Sequence, residues 1–175
     1  SRHNLKYWCN DPYLGVGPGA HSYLEGCRFS NIDSPREYIK RLECWPGLCK
    51  VDVRYIGCRE GSAPTSSRDV TIERARCRDI FNKVPVVEGV NPIERQMEMA
   101  ETMMLGLRLD TGIEVGGFLH RFGESPAEAY GHIFEQLESL GLLQSNDMRI
   151  TLTDRGKLLG NEVFSRFFET SDAVE

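Results

Sequence analysis

No stretch of this sequence approaches the roughly 18 consecutive apolar residues of a membrane span, and nothing near its start reads as a signal peptide. The expectation is a cytoplasmic protein without a transmembrane segment. An initiator Met is absent too. The chain opens on Ser1 and enters a motif-dense stretch at once, which points to missing upstream sequence. Basic charge is not in excess: 21 Lys and Arg stand against 26 Asp and Glu, for a net charge of -5. No global field therefore draws nucleic acid or anionic lipid. Close cysteine pairs are also missing, since Cys9, Cys27, Cys44, Cys49, Cys58 and Cys77 contain no C-x2-C spacing. Zinc sites usually need two such pairs, and iron–sulfur sites need several thiolates on a tight loop. Scattered reduced thiols in a cytosolic chain fit the pattern.

What is present falls into three regions, and the fold class expected is α+β. Residues 1–43 are rich in glycine and aromatics. Residues 44–83 carry eight basic and five acidic residues and four of the six cysteines. With its flexible tract Gly61-Ser62-Ala63-Pro64-Thr65-Ser66-Ser67, this stretch reads as an atypical basic insertion, or a stretch read out of frame, with poor order expected throughout; a basic nucleic-acid patch is the competing reading.

Residues 84–170 form a well-punctuated, mostly helical unit. Asn91-Pro92-Ile93-Glu94 has the residues of a helix start. Ile93, Met97, Ala100, Met104 and Leu107 then recur at helical spacing, as a core stripe does. A short helix is expected over Val115–Phe122, ending near Gly123. Ser125-Pro126-Ala127-Glu128 starts another, with Tyr130, Ile133, Leu137 and Leu140 on one face and Gly141 at its stop. Met148, Ile150 and Leu152 alternate like a half-buried strand, and Thr153-Asp154 caps a last helix bearing Leu158, Leu159, Val163 and Phe167. This order is that of a winged-helix unit. Such units often bind DNA, but the helix from Pro126 to Leu140 carries Glu128, Glu135 and Glu138 and neither Lys nor Arg. Carboxylates facing phosphates oppose binding, so a packing or lid module without nucleic acid is expected.

The chemistry-bearing residues lie at the front. His3-Asn4-Leu5-Lys6-Tyr7-Trp8 combines an imidazole, an axial ligand type for haem iron, with two aromatics whose flat surfaces suit a porphyrin face. Asn4 can orient an imidazole or a propionate by hydrogen bonding. Composition alone equally allows a His and two aromatics packed at a domain edge. Behind them, Tyr13-Leu14-Gly15-Val16-Gly17 reads as a short buried strand. Pro18-Gly19-Ala20-His21-Ser22 reads as a turn whose glycines let a ligand approach the backbone.

These two segments, together with Ser34-Pro35-Arg36-Glu37-Tyr38, Met104-Leu105-Gly106-Leu107-Arg108-Leu109, Arg121-Phe122-Gly123 and Leu152-Thr153-Asp154-Arg155-Gly156, closely resemble the C-terminal part of the HemW family. That is the family of radical S-adenosylmethionine haem chaperones related to oxygen-independent coproporphyrinogen III oxidase. The resemblance covers residues 1–43 and 84–175. It implies the end of a partial radical SAM barrel over 1–43, followed by the winged-helix-like domain. It implies a haem site at His3, Asn4, Tyr7 and Trp8, with His3 as the metal ligand to haem iron. Gly17, Gly19 and Ala20 would lie near bound S-adenosylmethionine. Partners implied are haem and haem-acceptor proteins, and a homodimer is compatible with the sequence. The family's C-x3-C-x2-C loop for a [4Fe–4S] cluster is absent. The chain is thus expected to be a fragment with no catalytic residues and no radical activity alone, S-adenosylmethionine and the cluster belonging to the full-length parent. The alternative reading is a fragment of an oxygen-independent coproporphyrinogen III oxidase.

Overall fold

A computed structural model describes the backbone of residues 2–24, 26–45 and 81–169, with the side chains of all of these except Arg2 and His3. Most of the expected basic insertion, residues 46–80, lies outside the described residues. The chain divides into two compact units: Pro12–Ile93, and Ser1–Asp11 together with Glu94–Glu175. This grouping departs from the division read from sequence. The His3–Trp8 segment goes with the C-terminal unit rather than with the glycine-rich stretch, and residues 84–93, read as the start of the C-terminal domain, group with Pro12–Ile93 instead.

The reason for the second shift is a backbone ladder. In the Pro12–Ile93 unit, β1 (His21–Leu24) and β2 (Cys27–Asn31) form an antiparallel hairpin. Its connection includes Gly26 at φ +71°, a conformation glycine adopts freely. β3 (Val87–Pro92) pairs antiparallel with β2, giving the sheet order β1-β2-β3. Cys27, Phe29, Phe81 and Val90 make a small core, with the rings of Phe29 and Phe81 stacked at 4.2 Å. The helix α2 (Pro35–Glu43) follows β2. Its Ser34 cap accepts from the Glu37 N–H, with Pro35 in the first turn.

Two expectations fail in this unit. Tyr13–Gly17 is not a strand. Tyr13 makes an isolated bridge to Tyr23, and Leu14 and Val16 are exposed. The Gly15 N–H donates to Ser22 Oγ instead of entering a ladder. Asn91-Pro92-Ile93-Glu94 does not start a helix either. The Asn91 side chain donates to Gly89 O, and the Ile93 N–H donates to Gly26 O at 2.7 Å, which keeps this segment extended.

The C-terminal unit begins with α1 (Arg2–Trp8) and resumes with α3 (Arg95–Gly106), whose N-cap is Glu94 without a side-chain cap bond. The buried face of α3 is Met99, Ala100 and Met103, followed by Leu107, whereas Met97 is exposed. The expected stripe otherwise holds: Ile93, Ala100 and Leu107 are buried, and Met104 packs partly buried against the core. β4 (Ile113–Glu114) leads into α4 (Val115–Phe122), which stops at Gly123 in the left-handed region, as expected. α5 (Pro126–Ser139) opens with a complete capping box: Ser125 accepts from the Glu128 N–H, and the Glu128 carboxylate accepts from the Ser125 N–H. β5 (Leu143–Ser145) and β6 (Arg149–Leu152) form a hairpin that β4 completes in the order β4-β6-β5. Thr153 caps α6 (Asp154–Leu158), and α7 (Gly160–Arg166) ends the described chain.

One apolar core joins these elements. Tyr130, Ile133, Phe134 and Leu137 of α5 meet Ile150 and Leu152 of β6 together with Val163 and Phe167. Met148, Leu140, Leu158 and Leu159, assigned by periodicity to inward faces, are exposed. Each sits at or just beyond an element end, where the chain turns away from the core.

Candidate functional site

The cluster read from the first residues lies on one helix, α1. A helix of seven residues has little stability of its own, so α1 depends on what holds it. Its C-terminal end supplies the anchor. Asn10 takes φ 52°, the one left-handed non-glycine residue among those described. Its N–H donates to Tyr7 O at 3.1 Å and the Asp11 N–H donates to Lys6 O at 2.9 Å, which closes the helix in a Schellman motif. The Asn10 side chain is buried and donates to Thr102 Oγ1 at 3.1 Å, and that hydroxyl donates to Glu98 O at 2.7 Å.

A buried ion pair reinforces this contact. Arg121 Nη2 of α4 lies 2.9 Å from Glu98 Oε1 of α3, and Glu98 is only 8% exposed. Arg121 also donates to Cys9 O at 3.4 Å, just past the end of α1. A carboxylate this buried needs a partner, and the same guanidinium reaches the backbone that follows the motif helix. Burial, and then the charge of Asp11, push the Cys9 thiol above its usual range.

Asn4 is exposed, while Tyr7 and Trp8 are 41% and 37% exposed. The two rings therefore keep open surface while the backbone beneath them is fixed. Nothing is described of the His3 side chain; its backbone belongs to α1. Arg108, just beyond α3, places its guanidinium carbon 5.9 Å from the Trp8 ring centroid and 4.8 Å from that of Phe164.

Gly17, Gly19 and Ala20 belong to the other unit. The Asn31 amide, at the end of β2, donates to Gly17 O at 2.9 Å and to Gly15 O at 3.4 Å. The Gly19 N–H donates to Ile32 O, and the Ala20 N–H donates to Gly17 O. Gly17 sits at φ +104° with open space where a side chain would stand. The segment is thus a pinned, backbone-exposing loop. Among the described residues, no three His, Cys, Asp or Glu side chains converge as metal ligands. No helix among them is long and apolar enough to cross a membrane.

Sequence reading passed over Asn10, Glu98, Thr102, Arg108 and Arg121 as site residues. Asn directly after an aromatic-rich helix is a legible stop signal. The other four become neighbours of α1 only through packing across some ninety residues of chain or more.

Residues 93–159 match the HemN C-terminal domain family. Over 167 residues, 95% of this chain, the sequence is 29% identical to the heme chaperone HemW of Bacillus subtilis and 30% identical to that of Lactococcus lactis. The chain spans about a third of the length of these curated relatives, 34% in each case. A solved chain of the coproporphyrinogen III oxidase HemN from Escherichia coli aligns with 90% of this chain and 28% of its own length, at a TM-score of 0.49 and 13% identity. The chain is therefore similar over 95% of its length to proteins named heme chaperone HemW, and its residues 93–159 match the HemN C-terminal domain family.

Proposed function

We propose that this chain is the C-terminal part of a radical SAM haem chaperone, which takes haem as cargo on α1 and passes it to acceptor proteins. The observation that carries the reading is one anchored helix holding His3, Asn4, Tyr7 and Trp8, in a chain matched over 95% of its length by proteins named for haem chaperoning. Residues four apart share a helix face. That spacing pairs His3 with Tyr7 and Asn4 with Trp8. In the proposal His3 ligates the iron, Tyr7 and Trp8 lie against the macrocycle, and Asn4 hydrogen-bonds the imidazole or a propionate. The half-exposed rings and the fixed backbone beneath them fit such a cargo.

The rest of the proposal concerns the longer protein. Its C-terminal unit is read as a winged-helix-like module, from the order α4, α5, hairpin, α6. The glycine-rich segment is read as the end of a partial barrel, with Gly17, Gly19 and Ala20 bordering S-adenosylmethionine. The pinned loop, with its open space at Gly17, suits close approach of a ligand. The described residues offer no [4Fe–4S] ligand set, so no radical step is assigned to them. A cytoplasmic location, a homodimer and the acceptor proteins belong to this reading as well.

Titrating ferric haem into the protein tests the core of it. A Soret band distinct from that of free haem, saturating at one haem per chain, is the expected result; an unchanged free-haem spectrum overturns the reading. The second reading is an oxygen-independent coproporphyrinogen III oxidase, favoured by the HemN name of the matched domain. It requires the full-length protein to consume coproporphyrinogen III anaerobically with its cluster intact.

A further inference from the structure

The geometry points to Arg108 as the residue that recognises a carboxylate of the bound porphyrin, an inference that rests on the haem-binding reading above. The Arg108 guanidinium is held by ring faces, with its carbon 4.8 Å from the Phe164 centroid and 5.9 Å from the Trp8 centroid. Phe164 is 8% exposed and belongs to the core, so it is a rigid platform, whereas Trp8 is 37% exposed. A guanidinium over a ring face does not spend its N–H donors on that ring, so the fork that fits a carboxylate stays available.

Those donors have no acceptor among the described residues, and the Arg108 side chain is exposed. The nearest acidic residue in sequence, Asp110, is already engaged by Lys157 at 2.8 Å. An arginine over the tryptophan of the proposed haem cluster, with its donors unspent, is prepared for an anion. The macrocycle proposed for α1 carries two, its propionates, on its rim.

The test compares ferric haem with its dimethyl ester, which has the same ring and iron but no carboxylates. Both are titrated into the wild-type chain, Arg108→Gln and Arg108→Lys, with Soret absorbance as the readout. Wild type is expected to bind the diacid about tenfold more tightly than the ester, the order of one charge-assisted contact at an exposed site. Arg108→Gln is expected to lose that preference while keeping its affinity for the ester, and Arg108→Lys to keep part of it. Equal weakening of both ligands in Arg108→Gln would mean that the residue only positions Trp8, and would overturn the inference. Should Arg108→Gln fail to fold, an Arg108→Lys variant with the full wild-type preference, or a wild type that does not distinguish acid from ester, overturns it while leaving haem binding intact. A wild type that shifts neither Soret band overturns both this inference and the function on which it rests.

Discussion

Arg121 is the residue on which the motif helix and the C-terminal core depend together. Its guanidinium meets Glu98 at 2.9 Å, with the two side chains 25% and 10% exposed, and it also reaches Cys9 O. Arg121→Ala removes that ion pair from a carboxylate that stays buried. The expected loss is about 2–3 kcal/mol of stability, read as a lower midpoint in urea unfolding. A loss within the ~0.5 kcal/mol of an ordinary surface change would contradict the role. Tyr130 gives a second residue-scale test. Burial, and then the charge of Glu124, raise its hydroxyl to about 12, and its ring packs edge-on against Phe167 at 5.2 Å. A raised folded value means this contribution to stability is complete below the unfolded value near 10 and is lost as pH rises toward 12. Tyrosinate absorbance is expected to show a late-titrating component that coincides with alkaline unfolding and shrinks by one tyrosine in Tyr130→Phe. A late component unchanged by Tyr130→Phe would count against it.

The capping box of α5 carries the clearest prediction among the elements. Ser125→Ala removes the acceptor for the Glu128 N–H and is expected to cost about 1 kcal/mol. Hydrogen bonds from Ser125, the backbone N–H foremost, hold the Glu128 carboxyl below its usual 4.5. A depressed folded value means this group's contribution is present above pH 4.5 and fades as pH falls through the lower folded value. The stability gap between wild type and Glu128→Gln should therefore close in acid; a gap independent of pH would contradict the box. The same elements show what the chain made legible. The ends of α4 and α5 could be read because Gly123, Ser125 and Gly141 act within a single turn. The Tyr13–Gly17 segment and the start of α3 could not. Ser22 Oγ, Asn31 and Gly26 O satisfy those backbones from elsewhere in the first unit, and propensity carries no signal of such partners.

At the scale of the molecule, the residues proposed for haem and those proposed for S-adenosylmethionine fall in different units, His3–Trp8 with Glu94–Glu175 and the glycine loop with Pro12–Ile93. Adjacency in sequence had suggested one region, 1–43, for both. The motif itself was readable because its six residues are contiguous; its support was not, because Thr102, Arg108 and Arg121 reach it through the fold. The proposal that α1 holds haem through His3 is tested most directly by the Soret spectrum of the ferric haem complex of His3→Ala beside wild type, repeated with added free imidazole. The substitution is expected to abolish the wild-type band, and imidazole to restore it. A His3→Ala protein with the wild-type spectrum and affinity would contradict it.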